Sequence, residues 1–257
     1  MSTALPLHGR TALVTGSSRG IGRAIALKLG ALGADVAINY VTRETDAHSA
    51  VEALTGMGRR AFAARANVSK PDELAGLFDR VAAEWGALDI YINNAIDVAS
   101  FGPVMRLRAE PWRHTIDSHV TTFLLASQRA AKLMKDRKGV IIALSSLGSR
   151  SYVPGYAPIG VGKAAIEALT RYLAMELGPA GVRVNTVSAG PIDTDSLRAF
   201  STFEQMKDAS IRFSPARRMG QPDDVADVVG FLCTDDARWI CGQTLIVDGG
   251  FSLLSAH

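Results

Sequence analysis

Short apolar runs rich in β-branched residues alternate along this chain with longer stretches of helical period. TALVTG precedes GIGRAIALKLGALG, ADVAINY precedes a polar helix, and AFAARANV precedes PDELAGLFDRVAAEW. LDIYINNA, GVIIALSS, VRVNTVSAG and QTLIVDGG continue the series, with helices predicted near 110–136, 156–178 and 222–233. Strands that are apolar almost throughout, each followed by a helix, are strands buried on both faces. The pattern therefore predicts an α/β fold: a doubly wound sheet of seven mainly parallel strands with helices on both sides. No internal repeat, low-complexity tract or linker divides residues 1–257, so one domain is expected. The stretch between Asp195 and Gly220 fits no strand.

Composition narrows the function classes. The chain is 47% hydrophobic and 21% charged with a formal charge of +3, and its Lys and Arg are scattered rather than gathered into the basic tract of a nucleic-acid binder. Cys233 and Cys241 are the only cysteines, too few for a disulfide framework and without metal-ligand spacing. No metal site is predicted, and no Gly-x-Ser-x-Gly elbow stands where a hydrolase triad would need it. The N-terminus lacks a basic stretch followed by an apolar core, and no apolar run approaches the roughly 18 residues of a membrane span. A cytoplasmic protein with neither a membrane nor a nucleic-acid partner is expected.

Between the first strand and the first helix stands Thr15-Gly16-Ser17-Ser18-Arg19-Gly20-Ile21-Gly22. Glycines at a strand-to-helix turn let a pyrophosphate approach the backbone, where N–H groups and the helix N-terminus meet its charge. This is the phosphate loop of a Rossmann-type domain, with Gly16, Ser18, Arg19, Gly20, Ile21 and Gly22 as cofactor contacts. An NAD site carries an acidic residue at the end of the second strand. Here that strand ends in Ile38-Asn39-Tyr40 with no carboxylate before Glu44, whereas Arg19 and Arg43 either grip a 2′-phosphate or are solvated. NADPH is the expected cofactor, with Asn39 and Arg43 beside its ribose.

In YAPIGVGKAAIEALTRYLAMEL, Tyr156 and Lys163 are seven positions apart at the head of a long amphipathic helix, a spacing that keeps both on one face. Taken in order, TGSSRGIG, Asn67-Val68, Asn93-Asn94-Ala95, Ser145-Ser146, Ser188-Ala189-Gly190-Pro191 and Val247-Asp248-Gly249-Gly250 resemble the short-chain dehydrogenase/reductase superfamily over essentially the whole chain. The resemblance implies that Asn67 and Val68 flank the adenine and that Asn93 and Ala95 support the cofactor ribose region. It further implies that Ile192 and Thr194, with Pro191 beside them, hold the nicotinamide carboxamide and phosphate, that Lys163 binds the nicotinamide ribose, and that the protein is a homotetramer built on two long central helices.

Three positions depart from the commoner pattern of that superfamily. Ile96 follows Asn93-Asn94-Ala95 where glycine is usual, His119 in PWRHTIDSHVTTFLLASQRAAKLM replaces a helix asparagine, and the Tyr-to-Lys interval is seven rather than four. The segment SSLGSRSYVPGYAPIGVGKAAIEALTRYLAMEL is similar to enoyl-acyl-carrier-protein reductases, especially the type III enzymes, which share the longer interval; GPIDTDSLRAF and GQTLIVDGGFSLL look like the same branch. His119 is a departure even there.

The chemistry gives the interval a reason. In a ketone, hydride lands on the carbon that bears the oxygen; in an enoyl thioester it lands on the β-carbon, and charge develops on an oxygen three bonds away. A tyrosine moved one turn earlier meets that oxygen while Lys163 stays on the ribose. Tyr156 is then the donor to the enolate, and Lys163 is expected to favour its phenolate. Ser146 either bonds the substrate oxygen or caps its strand. Tyr152 either lines an acyl pocket or is a plain loop aromatic, and Ile96 and Leu197 are further candidate substrate contacts. Leu197, Phe200, Phe203 and Met206 either line that pocket or pack helices; Arg212, Arg217 and Arg218 either meet a phosphopantetheine or an acidic carrier protein or are solvated. His119 either holds a water that recharges Lys163 or is a satisfied core histidine. The expected activity is NADPH-dependent reduction of an enoyl thioester on an acyl-carrier protein or CoA, in fatty-acid or polyketide metabolism. The alternatives are a ketoreductase or alcohol dehydrogenase, and an NADPH-binding regulatory protein without turnover.

Overall fold

The computed structural model describes residues 5–97, 101–198 and 203–253. Seven strands form one sheet: β1 (Thr11–Val14), β2 (Asp35–Tyr40), β3 (Ala61–Arg65), β4 (Ile90–Asn93), β5 (Val140–Ser146), β6 (Arg183–Ala189) and β7 (Thr244–Val247). Their order is β3-β2-β1-β4-β5-β6-β7 and every pairing is parallel. The helices are α1 (Gly20–Ala31), α2 (Glu44–Gly56), α3 (Pro71–Trp85), α4 (Ala109–Ile116), α5 (Thr122–Leu133), α6 (Ala157–Leu177), α7 (Asp195–Arg198), α8 (Phe203–Phe213) and α9 (Pro222–Cys233).

Successive strand residues face opposite sides of the sheet, which splits the core in two. Ala12, Val14, Ile38, Ile90, Ile92, Ile142 and Val187 pack with Ile25 and Leu29 of α1 and Val229 and Leu232 of α9. Leu13, Ala37, Tyr91, Ile141, Ala143 and Val184 pack with Leu77 and Phe78 of α3, Phe123 of α5 and Ile166 and Leu173 of α6. Parallel strands covered on both faces are the reason their sequences are apolar at consecutive positions.

The sheet runs outward from β1 in both directions, so the order reverses between β1 and β4. Ligands of such sheets bind at the carboxyl ends of the strands at that reversal. Two expectations are refined by the fold. The helix predicted near 110–136 is α4 and α5 joined by a π turn at Asp117–Thr121, and His119 lies in that turn. The segment after Asp195, which fits no strand, forms α7 and α8. No helix among the described residues is long and apolar enough to cross a membrane.

Candidate active site

The phosphate loop is folded as a rigid cup. Gly16 and Gly20 have φ of +62° and +56°, a region that side chains rarely adopt. At Gly22 a side chain would collide with the Gly16 carbonyl and lie 2.5 Å from Asn94 Nδ2, so glycine lets the first turn of α1 close on the loop. Asn94 Nδ2 donates to the carbonyls of Thr15 at 2.8 Å and Gly16 at 3.1 Å, and the Asn94 and Ala95 N–H groups donate to Thr15 Oγ1 at 3.0 and 3.1 Å. The end of β4 thereby fastens the loop that follows β1. The sequence shows the doubled asparagine but points to Asn93 and Ala95 rather than to Asn94. Its neighbour Asn93 is buried and accepts from the Tyr91 hydroxyl at 2.9 Å.

Asn39 serves the same cup from β2. Its Oδ1 accepts from Gly16 N–H at 3.1 Å, and its Nδ2 donates to Ala66 O at 2.9 Å and Ala64 O at 3.3 Å. With 1% exposure, its amide braces the loop rather than facing solvent. Arg19 and Arg43 stand exposed just before α1 and α2, where their nearest acidic groups are Asp195 at 3.9 Å and Asp46 at 4.0 Å. Both pairs are loose, and exposed pairs of this kind contribute little. Both guanidinium groups can turn to an anion at small cost. Ser18 is buried beside Arg19, and Ile21 packs on the core from α1.

Across the cleft, Ile192 bridges Gly220, and Thr194 faces the loop closely enough that a Cβ on Gly20 would lie 3.6 Å from its methyl group. Pro191 accepts from the Gly220 N–H at 3.0 Å. Asn67 caps the end of β3, its N–H donating to Glu73 at 2.7 Å, and Val68 is buried beside it. The cofactor candidates thus stand at the carboxyl ends of β1, β2, β3, β4 and β6, the side of such a sheet on which ligands bind at the reversal.

Tyr156 immediately precedes α6, and its hydroxyl donates to Ser146 Oγ at 3.3 Å. Burial pushes the Tyr156 phenol above its ordinary pKa of 10.0, with the Ser146 bond opposing the shift. The expectation that Lys163 lowers that pKa is therefore corrected. Lys163 is 5% exposed, donates from Nζ to Leu144 O at 2.7 Å, and is driven by burial down to about 8. The position four residues before Lys163 is Ile159, fully buried, so Tyr156 is the phenol that α6 offers near this lysine.

His119 is 2% exposed, and neither ring nitrogen has a partner among the described residues. It packs so tightly on α6 that a Cβ at Gly162 would lie 2.8 Å from Nδ1. Burial, and then the Lys163 charge, lower its pKa to about 3, so the imidazole is neutral at pH 7. An unfolded histidine takes up its proton near pH 6.5, so between roughly 6.5 and about 3 the unfolded chain binds the extra proton, and stability falls as pH falls. A His119→Asn variant should lose less stability than the parent between about pH 6 and 4, measured by thermal melts. Equal losses would place the acid sensitivity elsewhere.

A cavity of about 230 Å³ opens beside Tyr156, walled by Tyr152, Val153, Val104, Pro103, Val161 and Ala164. The structure brings Tyr152 and Tyr156 to this cavity. Ile96, half exposed, and Leu197 on α7 are not part of its wall. Phe203 and Met206 lie half-buried on α8, and Phe200 falls outside the described residues. The basic trio is engaged locally: Arg218 makes a bidentate pair with Asp224 at 2.6 and 2.8 Å, Arg212 lies over the Phe213 ring, and Arg217 donates to the Arg212 carbonyl. Among the described residues, no group of three or more His, Cys, Asp or Glu is placed to hold a metal ion.

The family model described as enoyl-(acyl carrier protein) reductase matches residues 16–252. The chain belongs to the short-chain dehydrogenase/reductase superfamily. Among short-chain dehydrogenase/reductase relatives, it is 40% identical over 248 residues to 1-cyclohexenylcarbonyl-CoA reductase of Streptomyces collinus, covering 96% of this chain and 88% of the relative. It is 36% identical to a 3-oxoacyl-[acyl-carrier-protein] reductase of Staphylococcus epidermidis, covering 94% and 98%. A short-chain dehydrogenase from Burkholderia cenocepacia, solved in complex with NADP, superposes with a TM-score of 0.88 at 37% identity, covering 96% of this chain and 99% of that one. Together they make the chain an oxidoreductase of short-chain dehydrogenase/reductase type.

Proposed function

We propose that the protein reduces the carbon–carbon double bond of an enoyl thioester, carried on CoA or an acyl-carrier protein, with NADPH. The observation that carries this reading is the placement of the acid: Tyr156 stands seven residues before Lys163 with its hydroxyl on Ser146, while buried Ile159 fills the position one helical turn before the lysine. The similarity to a cyclohexenylcarbonyl-CoA reductase supports it. The fit of the cofactor rests on the cup itself, where only a hydrogen at Gly22 lets α1 close and where Asn39 and Asn94 hold the loop open to a pyrophosphate.

NADPH, when bound, supplies the hydride. Gly16, Ser18, Gly20 and Gly22 cradle its phosphates, Asn67 and Val68 flank the adenine, Ala95 and Lys163 hold the ribose side, and Pro191, Ile192 and Thr194 hold the nicotinamide end. Tyr156 donates to the thioester oxygen as charge develops there, and Ser146 orients the phenol. The Tyr152 ring and the apolar residues beside it wall the cavity proposed to take the acyl chain. The similarity to 3-oxoacyl reductases favours a second reading, reduction of a 3-oxoacyl thioester. One assay separates the two: NADPH with crotonyl and acetoacetyl thioesters, followed at the nicotinamide absorbance. Consumption with acetoacetyl alone would sink the enoyl reading.

Arg19 and Arg43 are proposed to select the 2′-phosphate. Each charge-assisted bond is worth roughly 1.5–3 kcal/mol. The Arg19→Ala/Arg43→Ala double variant should therefore raise the KM for NADPH by at least about tenfold and leave that for NADH nearly unchanged. An unaltered NADPH preference, or parental turnover that is as fast with NADH, would remove the assignment.

A further inference from the structure

A single buried carboxylate fixes the turn that follows β5. Glu167 lies on α6 one turn beyond Lys163 and is 6% exposed. Its Oε1 accepts from Ser145 Oγ at 2.8 Å and Ser149 Oγ at 2.6 Å, and its Oε2 accepts from Arg150 Nε at 3.1 Å with Arg150 Nη2 at 3.0 Å. A carboxylate taken out of water persists only where it is paired and hydrogen-bonded, and here the cation and both hydroxyls come from one short stretch, 145–150. Helix α6 thus grips that stretch at two points.

The gripped stretch lies under the Tyr156 ring. Leu147–Ser149 is a single 3-10 turn, and a Cβ on its Gly148 would lie 2.5 Å from Tyr156 Cδ1 and 2.6 Å from Cε1. On the other side, a Cβ on Gly160 would lie 2.5 Å from the Gly148 carbonyl oxygen. The turn is pressed between the ring and α6 with no room to shift. Ser146, whose hydroxyl meets Tyr156, is the residue just before it. The β5 ladder holds one end of the turn, where Ser146 pairs with Ala189, and Glu167 holds the other.

We infer that Glu167 is a positioning residue: through Ser149 and Arg150 it locks the Leu147–Ser149 turn against the Tyr156 ring, and so sets the Tyr156 hydroxyl where the substrate oxygen meets it. This rests on the proposed role of Tyr156. Among the described residues, the side-chain bonds of Glu167, Ser149 and Arg150 run to one another and to Ser145 rather than to the phosphate loop, Asn94 or the Lys163 ammonium, so removing the Glu167 charge should spare NADPH binding.

The test is a double-mutant cycle on the full chain with NADPH and crotonyl-CoA. Glu167→Gln keeps the shape and removes the charge; Ser149→Ala removes one bond and leaves the ion pair. Glu167→Gln should lower kcat about tenfold or more with an unchanged dissociation constant for NADPH, and Ser149→Ala should act in the same direction by less. In a Tyr156→Phe background, Glu167→Gln should change the residual rate by less than about twofold, because residues acting through one another are not additive. An equal factor in both backgrounds, or a matching loss of NADPH affinity, assigns Glu167 to the fold alone and overturns the inference. If Tyr156→Phe is slow but Glu167→Gln and Ser149→Ala are both as fast as the parent, the positioning role fails while the role of Tyr156 stands. If Tyr156→Phe itself keeps the parental rate, the proposed function fails and this inference with it.

Discussion

Replacing Tyr156 with phenylalanine should slow reduction of an enoyl thioester by about 10²- to 10³-fold, the usual loss when one donor to a developing oxyanion is removed. The ring remains, so its contact with Gly148 and the fold around it should persist, and NADPH affinity should stay near the parental value. Burial raises the phenol above its ordinary pKa, which keeps the proton on Tyr156 through neutral and mildly alkaline pH. The hydroxyl is therefore a standing donor. It needs no lysine beside it to remain one, and the Lys163 ammonium gives one of its three donors to Leu144 O, leaving two for the ribose. Tyr152→Phe is the control: it keeps the ring that walls the cavity, and at 87% exposure the lost hydroxyl leaves no buried group unpaired, so the variant should turn over at close to the parental rate. A parental rate for Tyr156→Phe, or a larger loss in Tyr152→Phe, would reassign the acid.

The parts of this molecule that are periodic were visible in its sequence. All seven strands lie inside the apolar runs that predict them, because alternating burial on two helix-covered faces leaves a local imprint. The phosphate loop was equally visible, since left-handed backbone at Gly16 and Gly20 demands the residue type that stands there. What escaped depends on partners far along the chain. Asn39 reads as a ribose contact from its place at the end of β2, yet its amide is consumed by Gly16, Ala64 and Ala66. Glu167 resembles any polar residue on a helix until Ser145, Ser149 and Arg150 converge on it. The π turn around His119 has no sequence period of its own; it shows only once α4 and α5 are packed against α6. The acid's spacing was legible, but its surroundings, which decide its pKa, were not.

Those surroundings give Lys163 the second large effect. Its pKa of about 8 lies below the ordinary 10.5, so the folded protein sheds the proton earlier than the unfolded chain does. Between those values the unfolded chain binds more protons, and stability rises with pH. Below about 8 the buried charge destabilises the fold in full, by about 3 kcal/mol at roughly 1.36 kcal/mol per pKa unit. A Lys163→Met variant, apolar and of similar length, should therefore be more stable than the parent at pH 7, and the difference should shrink as pH rises from about 8 toward 10.5. Its activity should go the other way. Without the ammonium, NADPH affinity and turnover should fall together, since the same group is proposed to hold the ribose. In the parent, kcat/KM for NADPH should decline as pH passes about 8, when that ammonium deprotonates. Urea melts of parent and variant across pH 7 to 10, set beside NADPH titrations, check each part. A variant no more stable than the parent, with a pH-independent difference and parental NADPH affinity, would remove the ribose-binding role and leave Lys163 as a structural donor to Leu144 O.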